Sequence, residues 1–475
     1  MEISTSLDSP ISTSLDLPIS TSLDLPISTS FDPSLFDPNA EPISELIPEL
    51  FPETISKPIP EAFLLPTPKP IPLPNPKPTP SSVFQSFNPK DDPLRLVKTI
   101  VTDSKIKIDQ SSPKFTGGNG QTSFYDGSLS ALEIDSGILI TSGDGTPAQR
   151  NTQRSFSVSV GGNGDKDLDR VAKSAFNGAG KTFDANLLEF SFNIKDSNVK
   201  SVSFDLVFGS DEFPEFSNTS FVDVAGVFVN GENYALFNSD PLQPLSIIDN
   251  NLNLGNFKDN KNSKLPIEYD GVSGVLKIVA PVKQGKNTIK FGIADTGDRI
   301  YDSGLFISNL STTRLQADNI GGLFANKSGS EGNDSLTGSE INEFIDAGDG
   351  NDIIDVGLGN NFVDAGTGDD VIFGGKGNNE IDGGKGLDTL VLPGNKDEFN
   401  LEKIGDSISL SLAGLTGNGA SVLGSADANG TGVFGTSQAT GFELISFDDV
   451  TISTSDFKPV GSLPENAADA IANKV

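Results

Sequence analysis

Residues 347–373 read AGDGNDIID VGLGNNFVD AGTGDDVIF, three consecutive nines. Glycine at the fourth place returns every nine residues, whereas aspartate at the sixth place returns every eighteen. Counted outward, the register holds for seven nines without insertion, over 329–391. The eighth place is always aliphatic: Leu336, Ile345, Ile354, Val363, Ile372, Ile381 and Leu390. The fourth place is glycine in six of the seven, with Ile341 the exception. Each nine reads as a six-residue turn followed by a three-residue strand. Glycine permits positive φ and close backbone approach in the turn. The aliphatic residue points inward and stacks on its neighbours, so the core is a thin ladder. Turns stacked about 4.8 Å apart also stack their charges. The segment carries fourteen Asp and Glu against two Lys, so it needs a cation to fold.

These nines resemble the repeats-in-toxin family, whose consensus is G-G-x-G-x-D-x-U-x. The resemblance implies a parallel β-roll in which two nines make one circuit. Successive nines then lie on opposite faces, with calcium between stacked turns, held by sixth-place aspartates and loop carbonyls. Sorted this way, one face has Asp334, Asp352, Asp370 and Asp388, with Gly332, Gly350, Gly368 and Gly386 at the fourth place. The other has Glu343, Asn361 and Asn379. Calcium wants six to eight oxygens, carboxylates among them. The first face is therefore expected to hold up to three calcium ions, and the second to bind weakly or not at all. Solvated turn aspartates are the plain alternative for the first row, and asparagine in left-handed turn positions for Asn361 and Asn379.

The rest of the chain is organised around this array. The protein has 475 residues and a net charge of −32, which argues against a nucleic-acid partner. It has no cysteine and no histidine, which excludes disulfides, thiolate metal sites and His-dependent catalysis. No apolar run approaches a membrane span. The N-terminus MEISTSLDSP lacks the features of a Sec signal peptide. Residues 1–38 carry an octapeptide repeat (ISTSLDSP, ISTSLDLP) and 39–95 a Pro-rich linker, together expected to be a disordered arm. Residues 96–315 hold short alternating runs such as LLEFSFNI and VKSVSFDLVF between Gly, Asn and Asp turns, the pattern of a β-sandwich. One short helix is expected there, near DKDLDRVAKSAF. Residues 392–475 are expected to form a β cap and then a C-terminal helix, with Pro464 near its start and Glu465 and Asp469 toward its positive end. The fold class is thus all-β: a sandwich, then a parallel roll with its cap, behind a disordered arm.

Five stretches of the sandwich resemble the choice-of-anchor L family of bacterial surface proteins. They are SGILITSG (136–143), GDKDLD (164–169), FDANLLEFSF (183–192), FGSDEFPEFSNTSFVDVAGVFVNG (208–231) and IADTGDRIYDSGLFI (293–307). That resemblance implies surface display. Within these stretches Asp211, Glu212 and Glu215 share a loop, Asp223 opens the next strand and Asp302 precedes another. If the sandwich brings these edges together, their oxygens suit calcium or a sugar, with Asp211 and Asp302 as candidate metal ligands. A carboxylate pair also suits a glycosidase. Turn aspartates and strand-end caps are the ordinary reading.

The expected function is that of a secreted or cell-surface calcium-binding structural or adhesive protein, not an enzyme. Its partners are calcium ions, the type I secretion machinery implied by the repeats, and a polysaccharide or other cell-surface ligand. The competing reading is a secreted carboxylate-dependent glycoside hydrolase, or other hydrolase, that uses the roll as a folding aid.

Overall fold

The computed structural model describes residues 83–317, 320–413 and 437–474. The octapeptide repeats and the linker through residue 82, for which disorder was expected, lie outside the described residues.

Two sheets enclose the first core. One runs in the order Phe84–Ser86, Thr122–Tyr125, Gly137–Thr141, Ser303–Thr313, Ser201–Ser210, Leu276–Pro281. The other runs Lys107–Ile108, Thr182–Ile194, Gly285–Thr296, Val224–Val229, Glu232–Asn233. Alternation decides what faces inward. Leu188, Phe190 and Phe192 of one sheet meet Phe204, Leu206 and Phe208 of the other. Phe204 and Phe291 join across the gap edge to face, with centroids 5.2 Å apart. Ser201–Ser210 is buried along its whole length because Val207 and its neighbours Leu139 and Phe306 are covered in turn by Tyr269, Phe156 and Leu132. The expected helix is Lys166–Ala175, capped by Asp165, whose side chain accepts from the N–H groups of Asp167 and Leu168. Its Leu168, Val171 and Ala172 cover Leu187, Val224 and Phe228 on the outside of the second sheet.

The sandwich begins earlier than residue 96. Phe84–Ser86 pairs with Thr122–Tyr125, and helix Leu94–Ile100 buries Leu96, Val97 and Ile100 in the main core. The Pro-rich composition concealed a helix start, in which Asp92 accepts from the Leu94 N–H at 3.0 Å beside Pro93. A further short helix, Asp249–Asn253, was also not expected.

The sandwich and the roll share one sheet. Gly322–Ser328 pairs antiparallel with Leu276–Pro281 and, on its other edge, parallel with Glu343–Asp346. Phe324 and Phe362 pack at this seam, centroids 4.9 Å apart, over Val279 and Leu315. Beyond it the chain coils as two parallel ladders with an eighteen-residue register. Ser335–Thr337, Ile353–Asp355, Val371–Phe373 and Thr389–Val391 form one, with Ile354 opposite Ile372. Glu343–Asp346, Phe362–Asp364 and Glu380–Asp382 form the other, with Ile345 opposite Val363. Ile345, Ile354, Val363, Ile372, Ile381 and Leu390 all lie in the core between them.

The cap adds one more rung to each ladder. Ser437–Thr440 lies parallel on Glu380–Asp382, and Leu444–Ser446 parallel on Thr389–Val391. Only Gly441, Phe442 and Glu443 separate these two strands, where the repeat uses six residues. The hairpin Phe399–Ile404 with Ser407–Leu412, and strand Thr451–Ser453, then pair antiparallel and end the coil. Helix Glu465–Lys474 lies against the first ladder. Ala467 and Ala470 pack on Val371 and Phe373, Lys474 Nζ is 2.8 Å from Asp355, and Asn466 Nδ2 donates to the Asp369 carbonyl at 2.7 Å.

Candidate metal sites

The sixth-place aspartates of the first face stack in a column. Asp352 Oδ1 accepts from the Asp334 N–H at 2.8 Å, Asp370 Oδ1 from the Asp352 N–H at 2.8 Å, and Asp388 Oδ1 from the Asp370 N–H at 3.0 Å. Each carboxylate thus spends one oxygen clamping the preceding rung. The other oxygen, Oδ2 of Asp352, Asp370 and Asp388, is buried without a hydrogen-bond partner. These residues are 1 %, 0 % and 0 % exposed. Burial pushes the Asp370 and Asp388 carboxyls up to about 7, and repulsion from stacked neighbours adds to it. Asp352 moves in the same direction for the same reasons. Asp334, on the end rung, turns its Oδ2 to the Ser330 N–H (2.6 Å) and hydroxyl (2.9 Å).

The glycine column lets the turns stack. Gly368 sits at φ +132°, and a Cβ there would fall 2.0 Å from the Gly350 carbonyl oxygen. Gly386, at +146°, would meet the Gly368 carbonyl oxygen at 1.8 Å. Gly332, on the end rung, has no such neighbour.

This donor set fits calcium. Between Asp352 and Asp370, and between Asp370 and Asp388, both walls carry a carboxylate oxygen with no other partner, beside loop backbone. An all-oxygen set with paired carboxylates is what a hard divalent cation takes. Among the described residues no three acidic side chains converge on one point, in keeping with sites built from two carboxylates and completed by other oxygens.

The second face closes itself. Asn361 Oδ1 accepts from the Glu343 N–H at 2.8 Å, and Asn379 Oδ1 from the Asn361 N–H at 2.9 Å, repeating the aspartate pattern. The amide nitrogen then does what a carboxylate cannot. Asn361 Nδ2 donates to the carbonyls of Val356 (3.2 Å) and Leu358 (2.8 Å), and Asn379 Nδ2 to those of Gly375 and Lys376. Loop carbonyls that would otherwise need a cation here receive an N–H. Glu343, on the end rung, turns to the Ser339 N–H as Asp334 turns to Ser330.

Three further contributions were missed in the sequence. Glu443 of the cap accepts from the Asp388 N–H at 2.9 Å, so it continues the carboxylate column past the repeats. The fifth place forms a second ladder: Asn333 Oδ1 accepts from the Asn351 N–H, Asn351 Oδ1 from the Asp369 N–H, and Asp369 Oδ1 from the Leu387 N–H, all within 2.8–2.9 Å. Its signal is plain in the nines, since Asn or Asp fills the fifth place in six of seven.

The ninth place forms the third, with Asp346, Asp364 and Asp382 stacked in register. Asp382 is paired with Arg314 at 2.9 Å. Burial pushes the Asp364 carboxyl up to about 7; Asp382 and Asp346 push the same way, and Arg314 and Lys277 oppose. The folded chain therefore keeps a proton that an unfolded aspartate, with pKa about 3.9, has lost. Its stabilising effect is complete below the unfolded value and lost as pH rises through 7. Asp364→Asn is thus expected to raise the thermal midpoint, in excess calcium, more at about pH 8 than at about pH 5. An equal gain at both pH values would contradict this account of Asp364.

In the sandwich the expected acidic loop separates. Asp211 Oδ1 accepts from the Asp270 N–H at 3.0 Å, and its Oδ2 from the Phe156 N–H. Glu212 is buried and accepts from the Asp223 N–H at 2.6 Å. Glu215 is exposed and paired with Lys261 at 2.5 Å. Asp302 Oδ2 accepts from the Val158 N–H at 2.8 Å, and its Oδ1 is buried without a hydrogen bond of normal geometry, beside the Asp144 N–H.

Comparison with known families agrees with this division. The profile of the Choice-of-anchor L domain matches residues 85–313. The profile of the RTX calcium-binding nonapeptide repeat (4 copies) matches residues 328–363 and 355–390. No curated protein matches the chain.

Proposed function

From a chain that carries a choice-of-anchor L domain followed by RTX calcium-binding nonapeptide repeats, we propose a secreted or cell-surface protein with a structural or adhesive role and no enzymatic activity. Repeats of this kind bind calcium structurally and are typical of secreted proteins. The observation that carries the reading is the shared sheet through Gly322–Ser328. A coil that folds around calcium is built as a rigid extension of the sandwich, so the ion completes one continuous scaffold. Extracellular calcium modules bind with dissociation constants of about 10⁻⁴–10⁻³ M. The roll would stay open at cytosolic calcium and close outside, which suits type I export of an unfolded segment. Among the described residues no helix is long and apolar enough to cross a membrane.

The hydrolase alternative needs accessible carboxylates. Asp211 spends both oxygens on backbone N–H groups, and Glu215 is ion-paired with Lys261. Those contacts favour the structural role. Two measurements test it. Fractionation of producing cells, with and without an intact type I exporter and with calcium present, is expected to find the protein outside only when the exporter works. Incubation of the calcium-loaded protein with a polysaccharide panel is expected to give no turnover. Steady hydrolysis that Glu212→Ala removes would favour the enzyme instead.

A further inference from the structure

The end of the sandwich where strand Gly285–Thr296 finishes and strand Val224–Val229 begins holds a group of buried acids outside the roll. Ala294 pairs with Val224, so Asp295 and Asp223 face each other one step further along neighbouring strands. Asp223 Oδ1 accepts from the Thr296 N–H at 3.2 Å. The opposite sheet closes over them. The Ser142 hydroxyl is beside Asp295. Ser142 in turn accepts from the Ser303 N–H at 3.0 Å, next to Asp302. Asp302 is drawn in tightly: a Cβ on Gly143 would collide with its carboxylate.

The oxygens at this end are not satisfied. Both oxygens of Asp295, Oδ2 of Asp223, Oδ1 of Asp302 and the hydroxyls of Thr296 and Ser303 are buried without a hydrogen bond of normal geometry; the Ser303 hydroxyl and the buried Glu212 carboxyl lie beside Asp223, and the Asp144 N–H beside Asp302. Asp223, Asp295 and Asp302 are each no more than 1 % exposed. Among the described residues no Lys or Arg nitrogen pairs with any of the three within 4.0 Å. The nearby Arg299 is committed to Asp184 at 3.4 Å. Like charges set directly across neighbouring strands are destabilising, and an unpaired buried carboxylate is costly. All the free groups are carboxylate or hydroxyl oxygens, a set that suits calcium.

We infer that the sandwich binds its own calcium ion between its two sheets, held by the carboxylate pair Asp223 and Asp295, with the Thr296 and Ser303 hydroxyls and other oxygens completing the set. The ion ties the end of the second sheet to the start of strand Ser303–Thr313 in the first. Asp302, a candidate ligand from the sequence, borders the site with its Oδ2 on the Val158 N–H; Asp295 was not a candidate, and Asp211, latched to backbone on both oxygens, takes no part.

The distribution of tyrosine makes the site separable from the roll. The chain has no tryptophan, and its four tyrosines, Tyr125, Tyr234, Tyr269 and Tyr301, all lie in the sandwich. Tyr269 is close enough to feel the charge of Asp302. Terbium emission excited through tyrosine in the intact chain therefore reports this site and not the repeats. The expected result is sensitised emission that added calcium displaces, that Asp223→Asn with Asp295→Asn reduces to the level of the free ion, and that Asp352→Asn with Asp370→Asn leaves in place. Absence of calcium-displaceable emission from the wild-type chain would overturn the site without any variant. Undiminished emission from the Asp223→Asn, Asp295→Asn chain, or from Asp295→Asn alone as a milder variant, would overturn the ligand assignment. Neither result bears on calcium binding by the roll, which circular dichroism follows separately.

Discussion

Chelating calcium from the intact chain is expected to open the roll, the cap strands stacked on it and helix Glu465–Lys474, while the middle of the sandwich stays folded. At ion concentrations of about 100 times the dissociation constant each site contributes about 2.7 kcal/mol, so the two gaps between Asp352, Asp370 and Asp388 add about 5 if independent. A whole domain has only about 5–15 kcal/mol in hand. The roll has little else to rely on, because its core is thin: one eighth-place aliphatic residue per nine, joined at the first place by Ala347, Val356 and Ala365. Without the ion, the buried oxygens of Asp352, Asp370 and Asp388 are left facing one another. The C-terminal helix goes with the roll, since Val371, Phe373, Asp355 and Asp369, which hold it, all belong to the repeats. Hydrogen exchange read by peptide is the measurement. Strands Ile353–Asp355 and Val371–Phe373 and helix Glu465–Lys474 should lose protection together on chelation. The apolar centre of Ser201–Ser210 should keep its protection, because its packing on Phe190, Phe291 and Phe306 does not involve the roll. Retained protection in 353–373 after chelation would mean that the column folds without calcium.

The repeat was legible because two constraints act on the same residues at different periods. Backbone and core demand glycine and an aliphatic residue every nine positions, and Gly368 and Ile372 show both. The ion column demands aspartate only on one face, hence every eighteen. Features built from unrepeated sequence were harder to read. Glu443 stands 55 residues from the Asp388 it serves, after a cap whose turn is shorter than the repeat. The join at Gly322–Ser328 carries no repeat, and its role comes from pairing with two partners at once. Asp295 sits within an alternating run, where a strand-end acid looks ordinary. Only register places it opposite Asp223. The helix at Leu94–Ile100 was hidden by the proline-rich composition before it, although Leu94, Leu96, Val97 and Ile100 are all buried.

Replacing Asp352 and Asp370 by asparagine is expected to uncouple the roll from calcium, whereas replacing them by alanine is expected to unfold it. The asparagine face supplies the reason. Asn361 keeps the acceptor that clamps the preceding rung and adds N–H donors that satisfy the loop carbonyls of Val356 and Leu358. An asparagine at 352 or 370 would keep the same clamp, since Asp352 Oδ1 and Asp370 Oδ1 already accept from the preceding N–H groups. Its amide would replace two like charges with donors. Alanine removes the clamp as well as the charge. Each change to alanine leaves a backbone N–H without its partner, which costs about 1–3 kcal/mol when buried, and adds no donor to the loop. In circular dichroism the wild type should gain β signal on adding calcium to the chelated chain. The double asparagine chain should show much of that signal before calcium and respond little. The double alanine chain should show little signal under either condition. Asn361→Ala with Asn379→Ala should leave the calcium response standing but lower its thermal midpoint, because that face is held by amides and not by the ion. If the asparagine and alanine pairs at 352 and 370 behave alike in the absence of calcium, the amide does not substitute for the ion, and the difference between the two faces is one of affinity alone.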